Sequence, residues 1–363
     1  ELHNFSISLQ YLTSNFIDMF KECIHHEQFS FDFFLIYYNI MESITEKDTF
    51  NQIVSAINVH FIFDLMREAD FDPDILNLIF MILATYSKFD NQVPNDESIY
   101  YEIIAYYFFE RRIYEDRNIL ITTTFPRNCI QIIANLISRD SINFELFDSL
   151  RLFEFLNYYL QFPPIENHSK ICQIIYLLIA KYHCHYPFDI LSVCNIYLHE
   201  IASISSQYYS ACALNAMVQT DEKFCALFFQ DNCELLFTIF DTFFSDISAK
   251  TKVAIAQLLL FIISHADSEV WSLIFNTTIL TNSKELEESA FHMSLFNFVS
   301  DSLEIFMEDD VTRNLCISFL SLLFDKAAEL GYLETYFHLF WEVFDENDLN
   351  DKFNLEDPQC CEF

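Results

Sequence analysis

Residues Pro126–Arg139 read PRNCIQIIANLISR. Gln131 stands at the centre, with Cys129 and Ile130 before it, Ile132 and Ile133 after it, and Leu136 completing the pattern. The arrangement returns 42 residues on at Gln173, between Ile171, Cys172 and Ile174, Ile175, followed by Leu178. It returns again at Asn215 (Ala213, Leu214, Ala216, Met217) and at Gln257 (Ile255, Ala256, Leu258, Leu259, then Ile262), each a further 42 residues along. Upstream, Asn77 and Asn39 fall in the same frame, at intervals of 54 and 38 residues. A period near 40 with one helix-like unit per cycle is the signature of stacked helical repeats. The expected fold is all-α, a right-handed α-solenoid.

The unit has a physical rationale. Apolar residues at −2, +1, +2 and +5 around the central amide share one side of a 3.6-residue helix. The amide points away from that side, and in a stacked array equivalent positions line up in a row. Asn77, Gln131, Gln173, Asn215 and Gln257 therefore read in two ways. They are either the ordinary polar face of solvated helices or a ladder of carboxamides along one surface. A carboxamide both donates and accepts, so a ladder suits the repeating N–H and C=O groups of an extended peptide.

Composition agrees with an additive helical core. The chain has 363 residues, 52% of them hydrophobic, with 42 Phe and 19 Tyr. Its only glycine is Gly331, which argues against tight-turn β folds and glycine-rich phosphate loops. Helices are then expected to end on Asn, Asp or Ser turns. The formal net charge is −35, a field that repels nucleic acid and anionic membranes and favours a basic protein partner. The 11 cysteines follow no disulfide-framework spacing, and Cys172, Cys212 and Cys316 sit on apolar helix faces. A reducing cytoplasmic or nuclear compartment follows. Apolar runs such as Val253–Ile263 are too short to span a bilayer, and the opening ELHNFSISLQYL has no leader pattern.

Along the chain, helices are expected over residues 6–24, 31–44, 49–67, 73–88, 144–160, 187–201 and 232–244. Asp72 and Pro73 supply a cap and a first turn. One solenoid domain spans 1–345, with an insertion over 91–120 and an atypical terminal repeat over 284–345, where Asn297 and Ser318 compete for the ladder position. Residues 346–363 form an acidic tail. The aromatic run Tyr100–Phe109 reads as packed helix.

These segments resemble the third helix of armadillo repeats, as in importin-α and β-catenin, and HEAT repeats share the same periodicity. Ile133-Ala134-Asn135-Leu136 matches the armadillo stretch that ends in an Asn-Leu pair. The resemblance implies about seven repeats and a concave groove lined by this helix. In importin-α-like proteins, groove Trp and Asn residues bind an extended basic nuclear-localisation peptide. Here the Trp column holds Gln131, Gln173, Asn215 and Gln257, and the Asn column reads Asn135, Leu177, Gln219 and Phe261.

No nucleophile–base pair or nucleotide motif appears, so a non-enzymatic role without cofactor or metal is expected. His183, Cys184 and His185, with Cys194 and His199, could ligate zinc but lack a CxxC pair; a helix-end cluster is the plainer reading. Carboxylate runs at Glu285–Glu288 and Glu308–Asp310 suit helix N-terminal turns. The expected function is a protein-interaction scaffold that binds an extended basic segment through Asn77, Gln131, Asn135, Gln173, Asn215, Gln219 and Gln257. The alternatives are a divergent import adaptor and a structural subunit of a large cytoskeletal or transport assembly.

Overall fold

The structure, a computed structural model, describes residues 27–44, 57–68, 72–89, 97–110, 125–139, 142–161, 167–199, 203–281, 295–305 and 310–344, with single positions 19, 22, 50, 51 and 54. Among them every regular element is helical. The helices expected over 6–24 and most of 49–56, the flanks of the insertion, residues 284–294 and the tail lie outside the described residues. The chain divides into two compact units: residues 1–174 with 186–189, and residues 175–185 with 190–363.

In the first unit, α1 (Glu27–Ser43), α3 (Pro73–Phe89) and α5 (Phe125–Ile137) pack in succession. Asp72 caps α3 as expected, its Oδ1 accepting from the Asp74 and Ile75 amides at 2.9 and 3.0 Å. The helix expected over 49–67 is interrupted. Ile57 and Asn58 leave the helix, and Asn58 Oδ1 accepts from Phe61 N at 2.9 Å to start α2 (Val59–Glu68). Asn competes for backbone donors and so favours a cap over a helix interior. The expected helix 144–160 is likewise two, α6 (Phe144–Ser149) and α7 (Leu152–Gln161), parted by Arg151 at φ 59°. Arg151 bonds Glu154 through Nε at 3.0 Å and lies over the Phe109 ring at 4.4 Å, contacts that hold the left-handed turn.

Between these helices runs α4 (Glu97–Ala105), which continues into a π turn over Tyr106–Glu110. Tyr100, Tyr101, Tyr107 and Phe108 are buried. Phe80 meets Tyr107 edge-on at 5.7 Å, and Phe108 meets Phe155 at 4.9 Å. Two buried hydroxyls are paired with backbone: Tyr107 donates to Met66 O at 2.9 Å, and Tyr86 donates to Ile57 O at 2.7 Å while accepting from the Tyr37 hydroxyl. Leaving such groups unpaired would cost about 1–3 kcal/mol each.

The second unit holds the C-terminal part of α8 (His168–Ala180), followed by α9 (Ile190–Leu198), α10 (Ile204–Thr220), α11 (Cys225–Phe228), α12 (Glu234–Phe243), α13 (Ala249–Ser264), α14 (Ser268–Thr281), α15 (Leu295–Ile305), α16 (Asp310–Leu330) and α17 (Leu333–Val343). The expected helices over 187–201 and 232–244 are each shorter than anticipated. Three pairs, α9/α10, α12/α13 and α15/α16, stack so that α10, α13 and α16 follow one another. Tyr197 on α9 bonds Thr242 on α12 at 2.7 Å, and Phe298 on α15 packs on Phe240 and Phe243 at 4.9 Å each. The other row is therefore α9, α12, α15. Ser318 lies on α16, in the row of α10 and α13, while Asn297 lies on α15.

Caps repeat as well. Ser203 Oγ accepts from Ser206 N, and Ser248 Oγ from Thr251 N, both at 3.2 Å, with the Ser206 and Thr251 side chains buried. At the end of α16 the expectation of glycine-free helix ends fails at its one opportunity. Gly331 takes φ 80°, and Tyr332 N donates to Ala327 O at 2.7 Å and Gly331 N to Ala328 O at 3.3 Å, a Schellman cap. Trp271, fully buried, contacts Phe275 and Phe319, and Phe275 stacks toward Tyr336 at 4.5 Å.

Candidate functional site

The five frame positions share one environment. Asn77, Gln131, Gln173, Asn215 and Gln257 are all half-buried, at the edge between each helix's apolar side and solvent. This is where a period of 3.6 places a residue flanked by apolar neighbours at −2, +1 and +2. Asn135 is also half-buried, and Gln219 and Asn39 are exposed.

In the second unit the amides are joined. Asn215 Nδ2 donates to Gln257 Oε1 at 3.1 Å, and Gln219 Nε2 donates to Asn215 Oδ1 at 2.9 Å. Three carboxamides thus form one hydrogen-bonded run over α10 and α13. Helix α10, ISSQYYSACALNAMVQT, carries no charged residue, and α13 carries only Lys250 and Lys252 in its first turn, so neither helix adds a carboxylate in a strongly acidic chain. At its C-terminal end stand Glu222 and His265, 3.7 Å apart.

In the first unit the amides bridge a seam instead. Asn128 Nδ2 donates to Asn77 Oδ1 at 3.3 Å. Gln131 Nε2 donates to Asn135 Oδ1 at 2.6 Å, and Asn135 Nδ2 reaches Ala84 O at 3.2 Å and Ser87 Oγ at 2.9 Å. The Arg139 guanidinium donates to Ser87 O. Asn77 therefore meets Asn128, 51 residues on, rather than Gln131, one turn further along α5. Asn128, Ser87 and Arg139 are site residues that the frame around Gln131 did not select. A signal was present, because 128, 131, 135 and 139 recur at one-turn spacing on a single face. Gln173 sits on α8 at the C-terminal edge of the first unit.

The remaining candidates separate. Cys184 and Cys194 are buried, whereas His183, at φ 54°, and His185 are exposed. Among the described residues no three His, Cys, Asp or Glu side chains gather as a metal-binding group. The eight described cysteines are all buried. Burial pushes the Cys129 and Cys172 thiols well up, Cys225 to about 11 and Cys316 to about 12, so these thiols stay protonated near neutrality. Of the carboxylate runs, Asp310 opens α16, while 285–288 and 308–309 lie outside the described residues. No helix among the described residues is long and apolar enough to cross a membrane. The chain matches no protein-family model and no curated protein.

Proposed function

We propose that this chain is a non-enzymatic scaffold of the armadillo-like kind, a right-handed solenoid of about seven repeats, working in the cytoplasm or nucleus. Its partner is a protein segment that is extended and basic, laid along the carboxamide row formed by Asn77, Gln131, Asn135, Gln173, Asn215, Gln219 and Gln257. The observation that supports this reading best is the hydrogen-bonded run Gln219–Asn215–Gln257. Each carboxamide offers two N–H donors and two acceptor lone pairs. In these bonds Asn215 uses one of each, which holds the side chain in place and keeps further capacity for a peptide backbone. Fixing side chains before binding lowers the entropy cost of association. The surrounding negative charge speeds encounter with Lys/Arg-rich partners. The test is affinity capture from the native organism with the wild-type chain and with a Gln173→Ala/Asn215→Ala variant of equal helicity. A partner retained by the first and lost by the second supports the clamp; equal retention by both refutes it. An import adaptor would also bind a simple Lys-rich localisation peptide with submicromolar affinity.

A second reading, a structural subunit of a larger assembly, is favoured by a different observation. Leu333, Phe337 and Trp341 are 44%, 52% and 46% exposed at successive turns of α17. The aromatic run at 100–108 is largely buried, as a packed helix requires, and supplies no such surface.

A further inference from the structure

The second unit holds a groove on the α9/α12 side, on the other helix row from the carboxamides. Its volume is about 320 Å³, at the lower end for ligand-binding clefts. Leu191, Leu227 and Leu235 line it, with Gln230, Asp231, Glu234 and Thr238. Leu191 is 48% exposed.

The groove owes its form to the chain between α11 and α12. Asp231, Asn232 and Cys233 take φ 48°, 57° and 64° in succession, a left-handed turn closed by Cys233 N donating to Gln230 O at 2.9 Å. Cys233 is buried and anchors the turn from beneath. The turn reverses the chain so that Asp231 and Glu234, both exposed, stand on the rim beside the three leucines. Thr238 Oγ1 donates to Glu234 O at 2.8 Å, which uses its hydroxyl proton within α12.

A floor of three leucines with two carboxylates at one edge has a definite complement. The floor takes one branched aliphatic side chain, and the carboxylates take Lys or Arg close to it in sequence. We infer that this groove docks a protein segment in which a Leu-, Ile- or Met-sized residue is flanked by basic residues. Charge complementarity selects this occupant over a second copy of the chain, whose own net charge is −35 and would oppose approach. The site is independent of the carboxamide row, and a partner could engage both at once.

Panning a phage-displayed random peptide library on the full chain tests this, with counter-selection on a Leu191→Ser/Asp231→Asn/Glu234→Gln variant. All three positions are exposed, so the variant should keep its helicity and melting temperature. The expected survivors carry a large aliphatic residue next to Lys or Arg. As synthetic peptides they should bind wild type about tenfold or more tightly than the variant and weaken as salt is raised. They should bind Asn215→Ala like wild type, which separates this groove from the proposed carboxamide clamp. If no recovered peptide distinguishes wild type from the variant, the groove does not dock a segment. If those that do lack basic residues, or if only small uncharged apolar molecules compete, the occupant is misassigned. Either result overturns the proposal.

Discussion

Asn215 Nδ2 lies 3.1 Å from Gln257 Oε1, joining residues 42 positions apart. The sequence period is therefore a contact in space within the second unit: one cycle along the chain is one step from α10 to α13. A half-buried amide pair contributes about 0.5–1.5 kcal/mol. Asn215→Ala, Gln257→Ala and the double variant, followed by urea denaturation, should show a coupling of about 0.5–1 kcal/mol. Strictly additive single effects would mean that the bond holds no energy and that stacking rests on the apolar faces alone.

The seam between α3 and α5 depends more heavily on one residue. Asn135 receives from Gln131 and donates to both Ala84 O and Ser87 Oγ. Asn135→Ala leaves Gln131 without its acceptor and removes the donor shared by Ala84 O and the buried Ser87 Oγ, which keep their own 2.8 Å bond, at a cost of about 1–3 kcal/mol. Gln131→Ala removes a single donor and should cost less. A Gln131 variant as destabilised as the Asn135 variant would show that the order of importance is misread.

Helix content, and within the second unit the 42-residue step from Asn215 to Gln257, were legible because apolar residues at −2, +1, +2 and +5 around Gln131, Gln173 and Gln257 fix one buried side of each helix. The half-buried level of all five amides followed from the same geometry. What the pattern could not carry was register across an irregular interval. Between Asn77 and Gln131 the spacing is 54, and the hydrogen bond goes to Asn128 instead. Helix breaks at Asn58 and Arg151 were hidden for another reason. Periodicity continues through both, and the break is decided by a side-chain cap in one case and by an Arg held over Phe109 in the other. The groove beside Leu191 was invisible in sequence because it depends on three successive left-handed residues, none of them glycine.

Gly331 is the one place where backbone conformation alone sets a residue. Its φ is 80°, and a Cβ built on it meets nothing within 4 Å. Gly331→Ala therefore introduces no clash beyond its own backbone and should destabilise by about 1–2 kcal/mol, the left-handed penalty for an L residue. Thermal unfolding followed by circular dichroism reads it. A neutral or stabilising result would show that the cap between α16 and α17 opens without consequence.

Stability should fall in alkali, and the buried thiols say where. Burial raises Cys316 from 9.0 to about 12 and Cys225 from 9.0 to about 11, and it raises Tyr197 from 10.0 to about 12. In each case the folded chain holds a proton that the unfolded chain gives up sooner. Below about pH 9 both states are protonated and the contribution is fully present; above it, unfolding releases protons and stability declines as pH rises toward the folded values. Each such group contributes a slope of up to about 1.4 kcal/mol per pH unit within its window. Urea melts stepped through alkaline pH should therefore show a steepening loss beginning near the ordinary thiol value. Cys316→Ala, less stable at neutral pH through its lost packing, should show a shallower decline. Parallel pH profiles for the two proteins would mean that Cys316 ionises as readily folded as unfolded, and that the helix rows around it open in base before its thiol is tested.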